Sequence, residues 1–186
     1  MAICLLSTSV ARAQEQVVNG GFETTDINGV AVPWIYSGQG VGLTTSPVHL
    51  GLMAMEFSKA NETDTLTQTG FNAPWGHEFL VTFWLYNDQG IPGGVKSFKA
   101  TFDGNTYDLG TGPTPGQWTQ YWFNVNGSGD GNASLEFEGQ YDFGAFVLDD
   151  VSVYKTGNII PEPALIQLPV LLGLAGLGYW RRRRSA

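Results

Sequence analysis

A period of two, which separates an apolar row of side chains from a mixed row over short runs, constrains this chain more than any other feature. Between residues 79 and 85, every second side chain is Phe, Val, Phe or Leu. A period of two is typical of a β-strand with one face buried. Similar runs, rich in Val, Phe, Tyr, Trp and Thr and separated by Gly, Asn, Asp and Pro, recur along the chain. The predicted strands are Gln16–Phe22, Val32–Tyr36, Gly40–Thr45, Ala54–Ser58, Thr65–Thr69, Phe79–Asn87, Lys96–Phe102, Thr106–Leu109, Gln117–Asn126, Ala133–Glu138 and Phe146–Lys155.

Short strands at this spacing predict an all-β domain, either a β-sandwich or a jelly roll. No window before Pro161 shows a convincing helical period. Asp103-Gly104-Asn105 predicts a hairpin turn between two of the strands. The parity of the central strands predicts four core rows: Phe79, Val81, Phe83 and Leu85; Tyr121, Phe123 and Val125; Ala133, Leu135 and Phe137; Phe98, Ala100 and Phe102.

The opposite parity carries aromatic rings and amides, which is not the pattern of a core face. The predicted glycan-binding residues are Trp84, Tyr86, Trp122, Gln120 and Asn124, with Lys99, Glu136 and Glu138 beside them. Sugar rings stack on exposed aromatic rings, and amides and acids bond their hydroxyl groups. Two alternatives stay open. Loops such as Gly90–Gly94 would cover the rings, or a loop-end site would use Trp34, Tyr36 and Trp75 instead.

The last stretch of the chain has three parts in a fixed order. Pro161-Glu162-Pro163 comes first, an uncharged run from Ala164 to Trp180 follows, and Arg181, Arg182, Arg183 and Arg184 come last. Seventeen residues of helix rise roughly 25 Å, close to the thickness of a bilayer's hydrocarbon core. An arginine cluster stays on the cytoplasmic side. The pattern predicts a single transmembrane helix over 164–180, with everything before Pro161 across the membrane from the arginines.

This C-terminal arrangement resembles the PEP-CTERM sorting signal of bacterial envelope proteins. The resemblance implies that residues 159–186 form a sorting signal, which an exosortase recognises and removes. Pro161, Glu162, Pro163 and Arg181 to Arg184 would then be sorting residues. It also implies a transient anchor in the inner membrane, followed by a place in the cell envelope or the extracellular matrix.

The N-terminus agrees with export. Ala11-Arg12-Ala13 has the form of a signal-peptidase site, which predicts a signal peptide over 1–13 and cleavage after Ala13. The apolar run before it is short and lacks Lys and Arg, so we expect the true start to lie upstream. Residues 14–158 then form one domain. The only cysteine, Cys4, lies in the signal, so the mature domain has no disulfide.

The charge balance of the predicted domain excludes nucleic acid as a partner. Of the 17 acidic residues only Glu162 lies outside 14–158, whereas four of the nine Lys and Arg lie inside. A domain with this excess of acidic residues repels nucleic acid and anionic membrane surfaces, whereas cations and neutral polymers are compatible partners.

Two motifs stand near the ends of the domain. The first is Val18-Asn19-Gly20-Gly21-Phe22-Glu23, and the second is Phe146-Val147-Leu148-Asp149-Asp150-Val151-Ser152-Val153. Together they resemble the opening and closing strands of galactose-binding-like jelly rolls, especially carbohydrate-binding modules of the CenC type. The resemblance implies a structural Ca²⁺ held by Glu23 and by Asp149 or Asp150.

The residues give separate support for a metal near the two aspartates. Leu148 and Val151 are three positions apart, so the alternation slips at the Asp-Asp pair and predicts a β-bulge. A bulge can aim carboxylates and a free carbonyl at one point, which suits calcium. Glu56 is a further candidate ligand. The alternative is a pair of solvated acids.

No recognisable catalytic motif accompanies these features. His49 and His77 are the only histidines, and neither has a nucleophile at an informative spacing. The sequence therefore predicts a non-catalytic protein that binds exopolysaccharide. The alternatives are a structural or adhesive surface protein without glycan binding and, third, a glycan-active enzyme.

Overall fold

The computed structural model describes residues 13–58, 61–88, 90 and 93–158, and they form an all-β chain. The strands are β1 (Gln14–Glu15), β2 (Ile35–Ser37), β3 (Val41–Thr44), β4 (Ala54–Phe57), β5 (Asp64–Ala73), β6 (His77–Asn87), β7 (Lys96–Phe102), β8 (Asn105–Asp108), β9 (Trp118–Asn126), β10 (Asp130–Tyr141) and β11 (Phe146–Asn158). The predicted bounds of β7 agree with the structure, and most other strands differ by a few residues at their ends.

The strands form two antiparallel sheets. Sheet I has the order β3-β4-β11-β6-β9, and β1 also pairs with β11. Sheet II has the order β2-β5-β10-β7-β8. The prediction of an all-β sandwich is confirmed. Strands β9 and β8 end the two sheets, and Tyr107 of β8 stacks on Phe123 of β9.

The core between the sheets is rich in phenylalanine. Phe83 of sheet I meets Phe137 of sheet II edge to face, with ring centroids 5.1 Å apart. The predicted core rows of β6, β7 and β10 are buried, and each buried Phe contributes about 2–3 kcal/mol to folding. The core residues that the structure describes lie between Phe22 and Val153, within the predicted domain of residues 14–158.

The predicted core row of β9 is only partly right. Val125 is buried, whereas Tyr121 and Phe123 are half exposed. The physical reason is position, because β9 is an edge strand with a neighbour on one side only.

The N-terminal segment also differs from the prediction. Gln16–Phe22 is not a strand, because Asn19 and Phe22 take left-handed φ angles of 57° and 60°. Trp34 was a candidate for a loop-end site, but it is buried in the core, and its Nε1–H donates to the carbonyl oxygen of Asn19 at 2.9 Å. Tyr36 is half buried, and Trp75 alone of the three rings is exposed.

The predicted hairpin turn is confirmed. Asp103 and Gly104 link β7 to β8 with φ angles of 49° and 76°. Positive φ at both central residues defines a type I′ turn, whose twist matches that of the flanking strands.

The sequence features at the chain ends lie outside the described residues. They include Cys4, most of the predicted signal peptide, the Pro161-Glu162-Pro163 motif, the predicted span over 164–180 and Arg181 to Arg184. Within the part of the chain that the structure does describe, no helix is long and apolar enough to cross a membrane.

Candidate functional site

One glycine allows the segment before Glu23 to lie against β11 at Val151. The N–H of Val151 donates to the carbonyl oxygen of Gly20 at 3.0 Å. A Cβ atom on Gly20 would lie 1.9 Å from the carbonyl oxygen of Val151, so only glycine fits there. This close approach brings Glu23 of the first motif beside Asp149 and Asp150 of the second.

The predicted bulge in β11 is confirmed. The pairing of β11 with β6 shifts register between Asp149 and Ser152, and Asp150 has a φ of 48°. The bulge turns both aspartates toward residues 45–53, which we call the clamp loop and which connect β3 to β4.

Carboxylates hold the clamp loop through its backbone. Oδ2 of Asp149 accepts the N–H groups of His49 and Leu50 at 2.8 and 3.2 Å. Oε1 of Glu23 accepts those of Leu52 and Met53 at 2.7 and 3.0 Å. Each such bond pairs a backbone amide of the clamp loop with a carboxylate, and bonds to charged groups are the stronger kind.

His49 joins the clamp loop to Asp150 as well. Its Nδ1 lies 2.6 Å from Oδ2 of Asp150. Burial raises the pKa of the neighbouring Asp149, and the N–H donors around that carboxyl group oppose the effect. The three acids singled out from the sequence thus share one structural task, which is to fix the clamp loop on sheet I.

The same three acids converge on Gly21. A Cβ atom there would lie 3.7 Å from Oδ1 of Asp150, 3.9 Å from Oδ1 of Asp149 and 3.9 Å from Cγ of Glu23. Nevertheless, no group of three or more His, Cys, Asp or Glu side chains within the described ranges is arranged to hold a metal ion. Glu56 lies on β4, opposite Val147 of β11.

The predicted aromatic platform is divided. Trp84 and Tyr86 lie on the outer side of β6, but the ring of His49 stacks on Trp84 at 3.9 Å and 17°. Trp118 contacts both His49 and Tyr86, at 5.4 and 5.5 Å between ring centroids. The clamp loop therefore covers one face of Trp84. Sequence reasoning missed this because it assigned His49 no partner.

Trp122 lies beyond the clamp loop and is 63% exposed. It is opposite Thr82, and the next cross-strand row holds Asn124, Leu80 and Tyr154. The outward-facing residues around the ring are named together as the Trp122 surface: Trp122, Gln120, Asn124, Thr82, Leu80, Ser152 and Tyr154. Gln120 and Asn124 are exposed on either side of the ring, as predicted from the parity of β9.

Lys99, Glu136 and Glu138 do not belong to that surface. They lie on β7 and β10 of sheet II, on the opposite outer side of the sandwich. Lys99 pairs with Glu138 at 3.8 Å, and Thr67 donates to Glu136 at 3.2 Å. Parity shows which residues face outward but not from which sheet.

A groove runs along the open edge of β9. It has a volume of about 440 Å³ and is lined by Tyr107, Gln120, Tyr121, Trp122 and Phe123. Tyr107 stacks on Phe123 at 5.3 Å and 14°. Burial, and secondarily the neighbouring Tyr107, raises the pKa of Tyr121. Sequence reasoning missed Tyr107, since it belongs to a hairpin of the other sheet.

Solved structures share this fold at low sequence identity. TmCBM61, solved in complex with beta-1,4-galactotriose, aligns with a TM-score of 0.56 at 21% identity, over 76% of this chain and 99% of that chain. The C-terminal family 22 carbohydrate binding module of Clostridium thermocellum Xyn10B aligns at 0.52 and 15% identity, over 78% and 99%. The enzymatically active domain of bacteriophage CBA120 tailspike protein 4 aligns at 0.55 and 17% identity, over 75% and 21%.

Searches of the sequence match no protein-family model and no curated protein. The structural likeness therefore establishes the fold, an all-β sandwich similar to that of carbohydrate-binding modules. It is also the fold expected from the two terminal motifs.

Proposed function

We propose that this chain is a non-catalytic carbohydrate-binding protein that binds polysaccharide through the Trp122 surface. The observation that carries the proposal is the exposure of Trp122, at 63%, in the middle of a nine-residue strand. An exposed aromatic ring on a regular β-strand is a preformed stacking platform, so the protein loses little conformational entropy when a sugar binds.

Amide groups flank the ring on both sides. Gln120 and Asn124 are two residues away in each direction, so their side chains stand on the same face as Trp122. Donors and acceptors at both edges of a stacking ring suit the hydroxyl groups of a neutral sugar. In this proposal Trp84 and Tyr86 support the adjoining part of the sheet beneath the clamp loop.

Binding to a glycan array and to host exopolysaccharide tests the proposal. We expect Trp122→Ala to weaken binding about tenfold or more, because it removes one stacking contact and the burial of apolar surface that goes with it. Trp75→Ala is the matched control, because Trp75 is 77% exposed but lies on the turn between β5 and β6.

Two outcomes would count against this function. Equal binding by native protein and Trp122→Ala would remove the Trp122 surface as the site. Shortening of the bound polysaccharide would favour the glycan-active alternative, to which the likeness to an enzymatically active tailspike domain lends some weight.

Calcium is proposed as a structural ion beside Gly21. Glu23 and Asp150 would supply carboxylate oxygens, and Asp149 would orient the neighbouring backbone. The nearness of Oδ1 of Asp149 and Oδ1 of Asp150 to Gly21, with Cγ of Glu23 beside them, supports this proposal, as does the preference of Ca²⁺ for oxygen ligands. The ion would stabilise the fold and take no part in chemistry.

Export and sorting are proposed from the sequence alone. A signal peptidase would cleave after Ala13, and an exosortase would remove the tail after insertion in the inner membrane. Replacing Pro161, Glu162 and Pro163 together by Ala should leave the tail attached, which intact-mass measurement of the protein from host cells would detect. Removal of the tail in that variant, or in a host without the processing enzyme, would exclude this route.

A further inference from the structure

Strand β9 is unusual among the edge strands that the structure describes. The other sheet-end strands, β2, β3 and β8, have three or four residues each, whereas β9 has nine. Native edge strands are commonly protected by shortness, charge, proline or a bulge. None of the nine residues of β9 is charged or a proline, and its pairing with β6 has no register shift.

The backbone of β9 offers its free hydrogen-bonding groups at defined positions. The N–H of Gly127 donates to the carbonyl oxygen of His77 at 2.9 Å, one step beyond the Asn126–Glu78 pair. Bonding alternates along an antiparallel ladder, so the odd-numbered residues of β9 bond to β6. The N–H and C=O groups of Gln120, Trp122 and Asn124 therefore point to the open edge.

The side chains of β9 are symmetric in chemistry about Trp122. Gln120 and Asn124 are both amides, and Tyr121 and Phe123 are both aromatic. Thr119 and Val125, one step further out, have the same shape. Antiparallel pairing of two copies about Trp122 would place like with like, amide on amide and ring on ring. An isologous contact between identical chains requires this self-complementarity.

We propose that β9 docks a second copy of this chain, paired antiparallel about a two-fold axis at Trp122. The pairing forms about six backbone hydrogen bonds, two for each of three residue pairs. It joins the two copies of sheet I into one continuous sheet and covers the half-exposed rings of Tyr121, Phe123 and Tyr107.

Charge favours a second copy on this edge. The domain carries a large excess of acidic residues, so most contacts between two copies would be repulsive. The uncharged length of β9 lets two such chains meet without placing acid on acid. The two Trp122 rings then stand side by side on the outer face. The dimer does not depend on glycan binding.

A charge exchange across the predicted register tests the dimer. Position 120 of one copy faces position 124 of the other, so Gln120→Lys with Asn124→Lys places lysine opposite lysine twice. Gln120→Lys with Asn124→Glu places lysine opposite glutamate twice. The two positions are four residues apart on one strand, too far for their side chains to pair within a chain.

Sedimentation equilibrium of residues 14–158, which include every core residue that the structure describes, gives the readout over about 1 µM to 1 mM. We expect the native protein to be a dimer and the dimer dissociation constant of the double-lysine variant to be at least about tenfold higher. The dissociation constant of the lysine–glutamate variant should return to within about threefold of the native value. Circular dichroism melting confirms that each variant is folded.

Three results would overturn the proposal. The first is a native protein that stays monomeric throughout the range. The second is a dimer that the double-lysine variant leaves unchanged, which places the contact elsewhere. The third is a lysine–glutamate variant as weak as the double-lysine variant, which excludes the register about Trp122.

Discussion

Asp149 is completely buried, yet its carboxyl group accepts hydrogen bonds from His49, Leu50 and Asp150. Opposing physical effects act on the pKa of this residue. Burial penalises the charged form and raises the pKa, as does the neighbouring charge of Asp150 to a smaller extent, whereas the N–H donors favour the charged form. Burial is the larger effect, so the folded protein holds the proton of Asp149 more tightly than the unfolded chain does.

This shift predicts a pH dependence of stability with a definite sign. A raised folded-state pKa contributes stability that is complete below the unfolded value of about 3.9 and is lost as the pH rises through the folded-state pKa. We therefore expect the unfolding free energy of the native protein, relative to that of Asp149→Asn, to fall as the pH rises above about 3.9.

Denaturant unfolding of both proteins at each pH, in EDTA, measures the difference. Asn does not titrate, so the comparison reports the titration of Asp149 together with its coupling to Asp150. A difference that grows with pH would mean that the folded carboxylate is stabilised in its charged form, and burial would not be the dominant effect.

At the scale of the elements, two adjacent glycines in the first motif have different tasks. A Cβ on Gly20 would meet a backbone oxygen of β11 at 1.9 Å, whereas one on Gly21 meets nothing closer than 3.7 Å. We expect Gly20→Ala to lower the unfolding free energy by about 2–4 kcal/mol, because segment and strand must separate.

Gly21→Ala is the matched control and should change stability by less than about 1 kcal/mol. Urea unfolding with calcium removed compares the two variants. Equal losses would mean that the segment tolerates displacement from β11, and that Gly20 is not what positions Glu23.

Local patterns in the sequence predicted the elements that depend on local physics. Alternation identified the buried rows of β6, β7 and β10, and the slip at Asp149-Asp150 identified the bulge. Properties that arise only when distant strands meet were not predictable. The sequence pattern could not reveal that His49 would cover Trp84, or that Glu136 and Trp122 would stand on opposite sides of the sandwich.

The whole molecule must fold without a disulfide in residues 14–158. If Ca²⁺ binds beside Gly21 in the folded state only, mass action must raise the melting temperature. At calcium concentrations about a hundredfold above the dissociation constant, we expect a rise of about 5–10 °C relative to EDTA. Differential scanning calorimetry measures it.

Mg²⁺ at the same concentration is the control, since Mg²⁺ binds poorly to sites without octahedral geometry. Gly21→Ala in calcium is a second control, because its methyl group would lie within 3.9 Å of Oδ1 of both Asp149 and Asp150. Identical melting temperatures of the native protein in calcium and in EDTA would exclude the ion.

The course of β11 decides how the molecule responds to mechanical load. Gln14 of β1 is opposite Lys155 of β11, so tension between the two ends of the domain opens that short ladder from one end, bond by bond. Tension between Asn158 and the Trp122 surface follows another path, along β11 and across β6 to β9. It acts along the strands, so the hydrogen bonds of two long ladders resist it together in shear. A domain held by its C-terminal strand and pulled through Trp122 is therefore loaded in shear along β11 and β9, whereas load at Gln14 peels β1 from β11.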